Sequence, residues 1–240
     1  MQPAAHAALL AALVPLTGCG SDAIGASEQR AAVTALLATQ AAALGVELVA
    51  PALLDLEEDA TTCPGMSIIQ GYITLDYDDC VPGRGWVRAP LVGVLRLDLT
   101  DETVASTVEG LAVGPAGVDA DLSGARGASP TLALDLTLEG AQLTRAQLDA
   151  LPTFDGTALV LDGDALVSAG GEPVELSWAG ARVPPGSGCF VPTAGRATVV
   201  QGLTDVTLAF QGDGTAAVTT SRGDAGTLDL CGLDADLWTP

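Results

Sequence analysis

Four leucines at every second position, Leu132, Leu134, Leu136 and Leu138, alternate with Ala133, Asp135, Thr137 and Glu139. A pleated strand sends successive side chains to opposite faces, so strict alternation requires one buried face and one wet face. The pattern recurs at Leu95, Leu97 and Leu99, and again at Val206, Leu208 and Phe210. Turn signals separate such runs: Pro82-Gly83, Gly114-Pro115-Ala116-Gly117, Asp162-Gly163-Asp164, Gly170-Gly171, Gly212-Asp213-Gly214 and Gly223-Asp224-Ala225-Gly226. From about residue 67 the chain therefore reads as mainly β. About ten strands form antiparallel meanders, as a sandwich or a strongly curved sheet. The string L-x-L-D-L-T occurs at 95–100 and at 132–137. Amphipathic strands of this composition resemble each other without duplication.

Two helices are expected beside the strands. Ser27 is placed to cap one that runs to about Leu44, with Gly45 at its stop. Val33, Leu36, Leu37 and Leu44 then share one face, which suits packing on the chain's own body. Residues 46–60 are ambiguous between strand and short helix, broken at Pro51. A short internal helix is expected at Thr144-Arg145-Ala146-Gln147, which fits a capping box, with Leu148 and Leu151 before Pro152.

The 240 residues are 48% hydrophobic with a mean hydropathy of +0.41, which suits a packed core rather than disorder. The formal net charge is −21. Such a surface repels phosphate, which excludes a nucleic-acid partner. The chain contains no Lys and no Asn, so Schiff-base chemistry, a Lys-activated serine and N-glycosylation are unavailable. Its only histidine is His6.

Residues 7–16 form an apolar run of ten, too short to span a bilayer and right for the hydrophobic region of a signal peptide. It leads into Leu16-Thr17-Gly18-Cys19. This tetrapeptide resembles the lipobox of bacterial lipoproteins. The resemblance implies cleavage before Cys19, a thioether-linked diacylglycerol on Cys19, and acylation of the new amino group. Several acyl chains at about 0.8 kcal/mol per buried methylene make a stable membrane anchor. By the same resemblance Gly20, rather than Asp, after the lipidated cysteine points to the outer membrane, on its periplasmic or its surface face. The expected organisation is a signal peptide over 1–18, a lipidated tether over 19–27, a helical segment over 28–60 and a β-rich domain over 61–240.

An odd count of five cysteines in an exported chain normally leaves a reactive thiol. Lipidation of Cys19 leaves four, which allow three connectivities. Cys63–Cys80 and Cys189–Cys231 are the expected pairs, because each brackets a hairpin-like region. The bridges would contribute roughly 3 and about 4 kcal/mol by loop closure, and an oxidising envelope permits both. Structural zinc is disfavoured, because no cysteine pair has the short spacing such sites use and the mature chain supplies no His. A catalytic thiol would lack a His partner.

Cys63-Pro64, the strand ending Thr74-Leu75-Asp76-Tyr77-Asp78-Asp79-Cys80, and the glycines at 83 and 85 are similar to secreted lipoproteins of myxobacteria and their relatives. Residues 206–214 running to Cys231 share that likeness. It implies location and a β-rich fold, and no particular activity. Asp76, Asp78 and Asp79 are the densest carboxylate group. They are tolerable for Ca²⁺, but without a carbonyl loop they read more simply as a solvated strand end. Asp119 to Gly124 begins like an EF-hand loop, yet its twelfth position is Pro130 rather than Glu. Arg222-Gly223-Asp224 reads as a chance tripeptide in a turn.

With no His, Lys or spare thiol in the mature chain, catalysis would fall to carboxylates, Tyr and Ser. The expectation is a non-catalytic, lipid-anchored envelope protein with a binding or scaffolding role, needing no cofactor. Its membrane contact would be the N-terminal lipid. The alternatives are a carrier of an apolar ligand in a curved sheet, recognised by an enclosed aliphatic cavity, and a carboxylate-based hydrolase, recognised by paired acids in a cleft.

Overall fold

The computed structural model describes residues 24–53, 63–69, 71–168, 171–186, 189–233, 235 and 237. The lipobox, Cys19 and most of the tether lie outside the described residues, as do residues 54–62. One helix, α1 (Ala26–Leu53), precedes thirteen strands. These are β1 (Gly65–Ile69), β2 (Tyr72–Cys80), β3 (Leu91–Leu99), β4 (Thr103–Val113), β5 (Ala116–Ala125), β6 (Thr131–Glu139) and β7 (Arg145–Phe154). They continue with β8 (Leu159–Ser168), β9 (Val174–Val183), β10 (Ala194–Gln201), β11 (Thr204–Phe210), β12 (Thr215–Thr220) and β13 (Gly223–Asp229). All thirteen join one antiparallel sheet in strict sequence order, each strand paired with its chain neighbours, and β1 and β13 remain open edges. The fold is mainly β, a meander in one sheet rather than a sandwich of two.

The alternation seen in the sequence is the alternation of burial. Leu132, Leu134, Leu136 and Leu138 are buried, while Thr131, Thr137 and Glu139 are exposed. The buried face of the sheet packs on α1. Every residue of α1 from Ala35 to Ala50 is buried, so the helix has no wet face and is enclosed on all sides. By length and composition α1 could cross a membrane, yet here its residues fill the inside of the sheet. At about 1.5 Å per residue it is roughly 42 Å long, close to the width of nine strands at about 4.8 Å spacing. It runs across them. Leu53 reaches Gly124 of β5, Gly45 meets Leu132 and Leu134 of β6, and Thr39 accepts a hydrogen bond from Trp178 Nε1 of β9 at 3.0 Å.

The sheet curls enough to bring remote strands together. The β2–β3 connection meets the β9–β10 connection, where Gly186 N donates to Gly85 O. Trp86 packs edge-on against Phe154 at the end of β7, with ring centroids 5.8 Å apart, and the Arg88 guanidinium lies over Phe190. The polar groups carried inward by α1 all have partners. Thr39 Oγ1 donates to Ala35 O, and Glu47 receives Arg84 Nη1 at 2.8 Å. Gln40 clamps the C-terminal segment, donating from Nε2 to Ala235 O and accepting at Oε1 from Leu237 N, both at 2.7 Å.

Several expectations are corrected. The N-terminal helix does not stop at Gly45 but continues to Leu53, and that glycine lies close against β6: a Cβ there would lie 2.5 Å from Leu134 Cδ2. Residues 46–53 are therefore helical. The short internal helix is absent, and residues 145–154 are strand β7. Ala146, Leu148 and Ala150 are its buried set, a period of two that outweighs a four-residue capping signal. Asp162-Gly163-Asp164 is not a turn but the middle of β8. Gly163 has φ +131° and lies opposite Trp178, where a Cβ would strike the Asp149 carbonyl oxygen at 2.1 Å. The last hairpin turns at Ser221 and Arg222, so Gly223 to Gly226 belong to β13. The strand count is thirteen rather than about ten.

Candidate functional site

The cysteines pair as expected, Cys63 with Cys80 and Cys189 with Cys231. The first bridge ties the chain just before β1 to the end of β2. The second ties the β9–β10 connection to the segment after β13. Asp76, Asp78 and Asp79 lie along β2, and Asp79 sits in a register shift before Cys80 with φ +51°. Among the described residues no three His, Cys, Asp or Glu side chains group closely enough to hold a metal ion. Asp119 and Asp121 are strand residues of β5, and Asp119 Oδ1 accepts from Gly110 N.

The feature that the sequence did not reveal lies on the wet face of the sheet. A groove of about 940 Å³ crosses it from β3 to β10. Two smaller depressions adjoin it and share its walls. One, of about 730 Å³, shares Asp149 and Asp164, and the other, of about 430 Å³, shares Asp121 and Asp135. Strand register assembles the lining. One cross-strand row joins Asp121 of β5, Asp135 of β6, Gln147 of β7, Leu166 of β8 and Glu175 of β9. The adjacent row joins Ser123, Ala133, Asp149, Asp164 and Ser177 on the same five strands.

Two of these pairings set carboxylates directly opposite each other, Asp121 against Asp135 and Asp149 against Asp164. Opposed side chains have Cβ atoms about 4.5–5.5 Å apart, and like charges there destabilise a sheet. The first pair is compensated. Arg145 grips Asp135 with two hydrogen bonds, of 3.0 and 2.6 Å, and Gln147 adds a third. The Arg145 guanidinium thereby holds the Asp135 carboxyl below the usual carboxylate range. Asp121 accepts from Thr107 Oγ1 at 2.9 Å. Among the described residues, Asp149, Asp164 and Glu175 have no ion-pair or hydrogen-bond partner. Leu166 is 37% exposed in the groove floor between Gln147 and Glu175. At the β3 end, Asp98 meets Arg96 at 3.4 Å, and the Arg96 guanidinium is stacked over Tyr72.

This architecture defines a class: an open antiparallel meander curled around a buried N-terminal helix, with an acidic groove on its solvent face. Searches of protein-family models, curated proteins and solved structures return no match to the chain.

Proposed function

We propose that the chain is a lipid-anchored, non-catalytic protein of the bacterial cell envelope, held at the outer membrane by acyl groups on Cys19. Its β-rich body then binds or scaffolds at the membrane face. The observation that carries this reading is the cysteine pairing. Cys63, Cys80, Cys189 and Cys231 are consumed within the body, which leaves Cys19 of the lipobox-like motif as the one cysteine free for a thioether. The body begins at Ala26, within about 25 Å of Cys19 at roughly 3.5 Å per extended residue, so its surface stays close to the bilayer. With α1 filling the apolar face of the sheet, the wet face and its groove are the surface open to a partner.

The test is on the anchor. Cells given labelled palmitate should incorporate it into the protein, Cys19→Ser should abolish the label, and globomycin should make an unprocessed precursor accumulate. An intact-mass measurement showing an unacylated amino terminus, or cleavage at another residue, overturns the reading.

One observation favours a second reading, a carboxylate-based hydrolase. The opposed pair Asp149 and Asp164 lies in a groove, which is the minimal arrangement for acid–base work on a glycoside. Loss of a measured glycosidase activity in Asp149→Asn and Asp164→Asn would establish it. Full retention of that activity in both variants would dismiss it. The apolar-carrier alternative gains no support, since α1 occupies the aliphatic face.

A further inference from the structure

We propose that two copies of the chain pair through β1, edge to edge and antiparallel about Ser67, so that their sheets run on into one. The pairing does not depend on the acyl anchor, and it concerns the rim of the sheet rather than its wet face. Among the described residues the sheet has two open edges, and they differ. β13 carries exposed Asp224 and Asp229, and a register shift interrupts its pairing with β12. Charges and bulges of this kind keep an edge from recruiting another strand. β1 reads Gly65-Met66-Ser67-Ile68-Ile69, with no charge, no proline and an unbroken register on β2. Of the ten large hydrophobic side chains that stand exposed among the described residues, six lie on β1 to β3 or directly after β2. Ile68 and Ile69 are the most exposed of the six, at 70% and 65%. Apolar exposure is thus concentrated at the unprotected edge.

Main-chain geometry sets the register. Ile69 and Tyr72 pair across a two-residue connection, so they exchange both main-chain hydrogen bonds. Alternation then turns the N–H and C=O of Gly65 and Ser67 toward β2, and those of Met66 and Ile68 out of the sheet. A second β1, antiparallel about Ser67, sets Met66 against the partner's Ile68 and satisfies all of these outward groups. On the wet face Ile69 then lies over the partner's Gly65, which has no side chain to obstruct it. Charge favours this orientation. Asp76 stands opposite Gly65, with Asp78 and Asp79 just beyond, so one end of the edge is acidic. The other end carries Arg96 paired with Asp98. Antiparallel pairing places the acidic end of each copy beside the balanced end of the other. The two Asp76 residues are then three strand spacings across and four residues along, about 20 Å apart, well beyond the screening length of roughly 8 Å. The Cys63–Cys80 bridge and the Ile69–Tyr72 pair hold β1 at both ends, so the edge is ordered before a partner arrives. The two-fold arrangement closes at two copies.

The experiment uses the full, detergent-solubilised protein, with molar mass from light scattering across a dilution series and cross-linking under mild oxidation. The native protein should be a dimer that dissociates on dilution. Ser67→Cys should give a covalent dimer, because residue 67 faces its own equivalent. Ile69→Cys should not, because its equivalent is about 14 Å away. The native protein, whose body cysteines are paired, is the blank. Ile68→Pro removes an outward N–H without touching the pairing to β2, and should weaken dimerisation about tenfold. Ile68→Lys keeps that N–H and adds a charge to the edge, and should weaken it as much. An unchanged far-ultraviolet circular dichroism spectrum confirms that both variants fold. A native protein that is monomeric throughout, larger open assemblies, equal cross-linking at 67 and 69, or Ile68 variants that dimerise like the native chain each overturn the proposal. A monomer in which the Met66 and Ile68 amides exchange slowly with solvent overturns it as well, since the chain itself would then cover the edge.

Discussion

Replacing Gly45 by alanine tests the central packing claim, that α1 lies close against β6 at this residue. Glycine inside a helix is about 1 kcal/mol less favourable than alanine, so on propensity alone Gly45→Ala should stabilise. The structure opposes this. The new methyl would lie 2.5 Å from Leu134 Cδ2 and 3.6 Å from Leu132 Cδ2, and Leu134 is itself only 2% exposed. Leu134 lies within the buried core, and overpacking there costs about 1–3 kcal/mol. The two effects together give a net loss of about 0–2 kcal/mol. Trimming the obstacle changes the sign. Leu134→Ala alone should cost about 2–5 kcal/mol, but in that background Gly45→Ala meets no clash and should gain about 1 kcal/mol. Equilibrium denaturation of the four proteins, with disulfides intact, gives a coupling of about 1–3 kcal/mol. Additive effects, or a Gly45→Ala penalty that survives in the Leu134→Ala background, would refute the close approach of α1 to β6.

Gln40→Ala removes both hydrogen bonds to the C-terminal segment and should cost about 1–3 kcal/mol. Limited proteolysis after Cys231 should accelerate in this variant. Arg84→Met takes the guanidinium from Glu47, whose side chain is fully buried, and should cost about 3–5 kcal/mol, while Glu47→Leu/Arg84→Met should recover most of it. Thermal melts of the two variants beside the native protein decide this. Asp155 is held well below the usual carboxylate range, first by Arg182 Nε at 2.8 Å and then by the Thr157 hydroxyl and the backbone amides of Thr157 and Ala158. A folded-state pKa below the unfolded one means that the unfolded chain takes up the proton first on acidification. This contribution is therefore complete at neutral pH and fades as pH drops below about 4. Asp155→Asn should lower stability at pH 7 and flatten the fall below pH 4, as read from denaturation midpoints across pH.

Local periodicity made much of the fold readable. The runs at 95–99, 132–138 and 206–210 announce strands because each alternates buried and wet positions over its whole length. A meander adds only neighbour pairings, so strands and hairpins nearly define it. The disulfide pairs were readable for the same reason, since each bridge closes a local region. The errors share a cause. Gly45 signals a helix stop unless the leucines of β6 are known to press on it. Gly163 signals a turn unless the Asp149 carbonyl is known to lie where its Cβ would be. Each glycine answers a contact with a distant part of the chain, which no local window contains. The groove was unreadable on the same principle. Asp121, Asp135, Asp149, Asp164 and Glu175 are spread over 55 positions of sequence as ordinary wet-face residues, and only strand register makes them neighbours.

The pairing of Asp149 with Asp164 gives this register an energetic consequence. Two carboxylates directly opposite on adjacent strands repel, and no arginine relieves them as Arg145 relieves Asp135. Both project from the wet face, on the side of the sheet away from α1, so neither contributes to the core. A single asparagine at either position would remove the repulsion without disturbing packing. Asp164→Asn should then stabilise the protein by about 0.2–1 kcal/mol, the range of directly opposed pairs. Equilibrium denaturation of this variant beside the native protein reads the difference. If Asp164→Asn destabilises the sheet instead, the carboxylate has a structural partner and the repulsion argument fails.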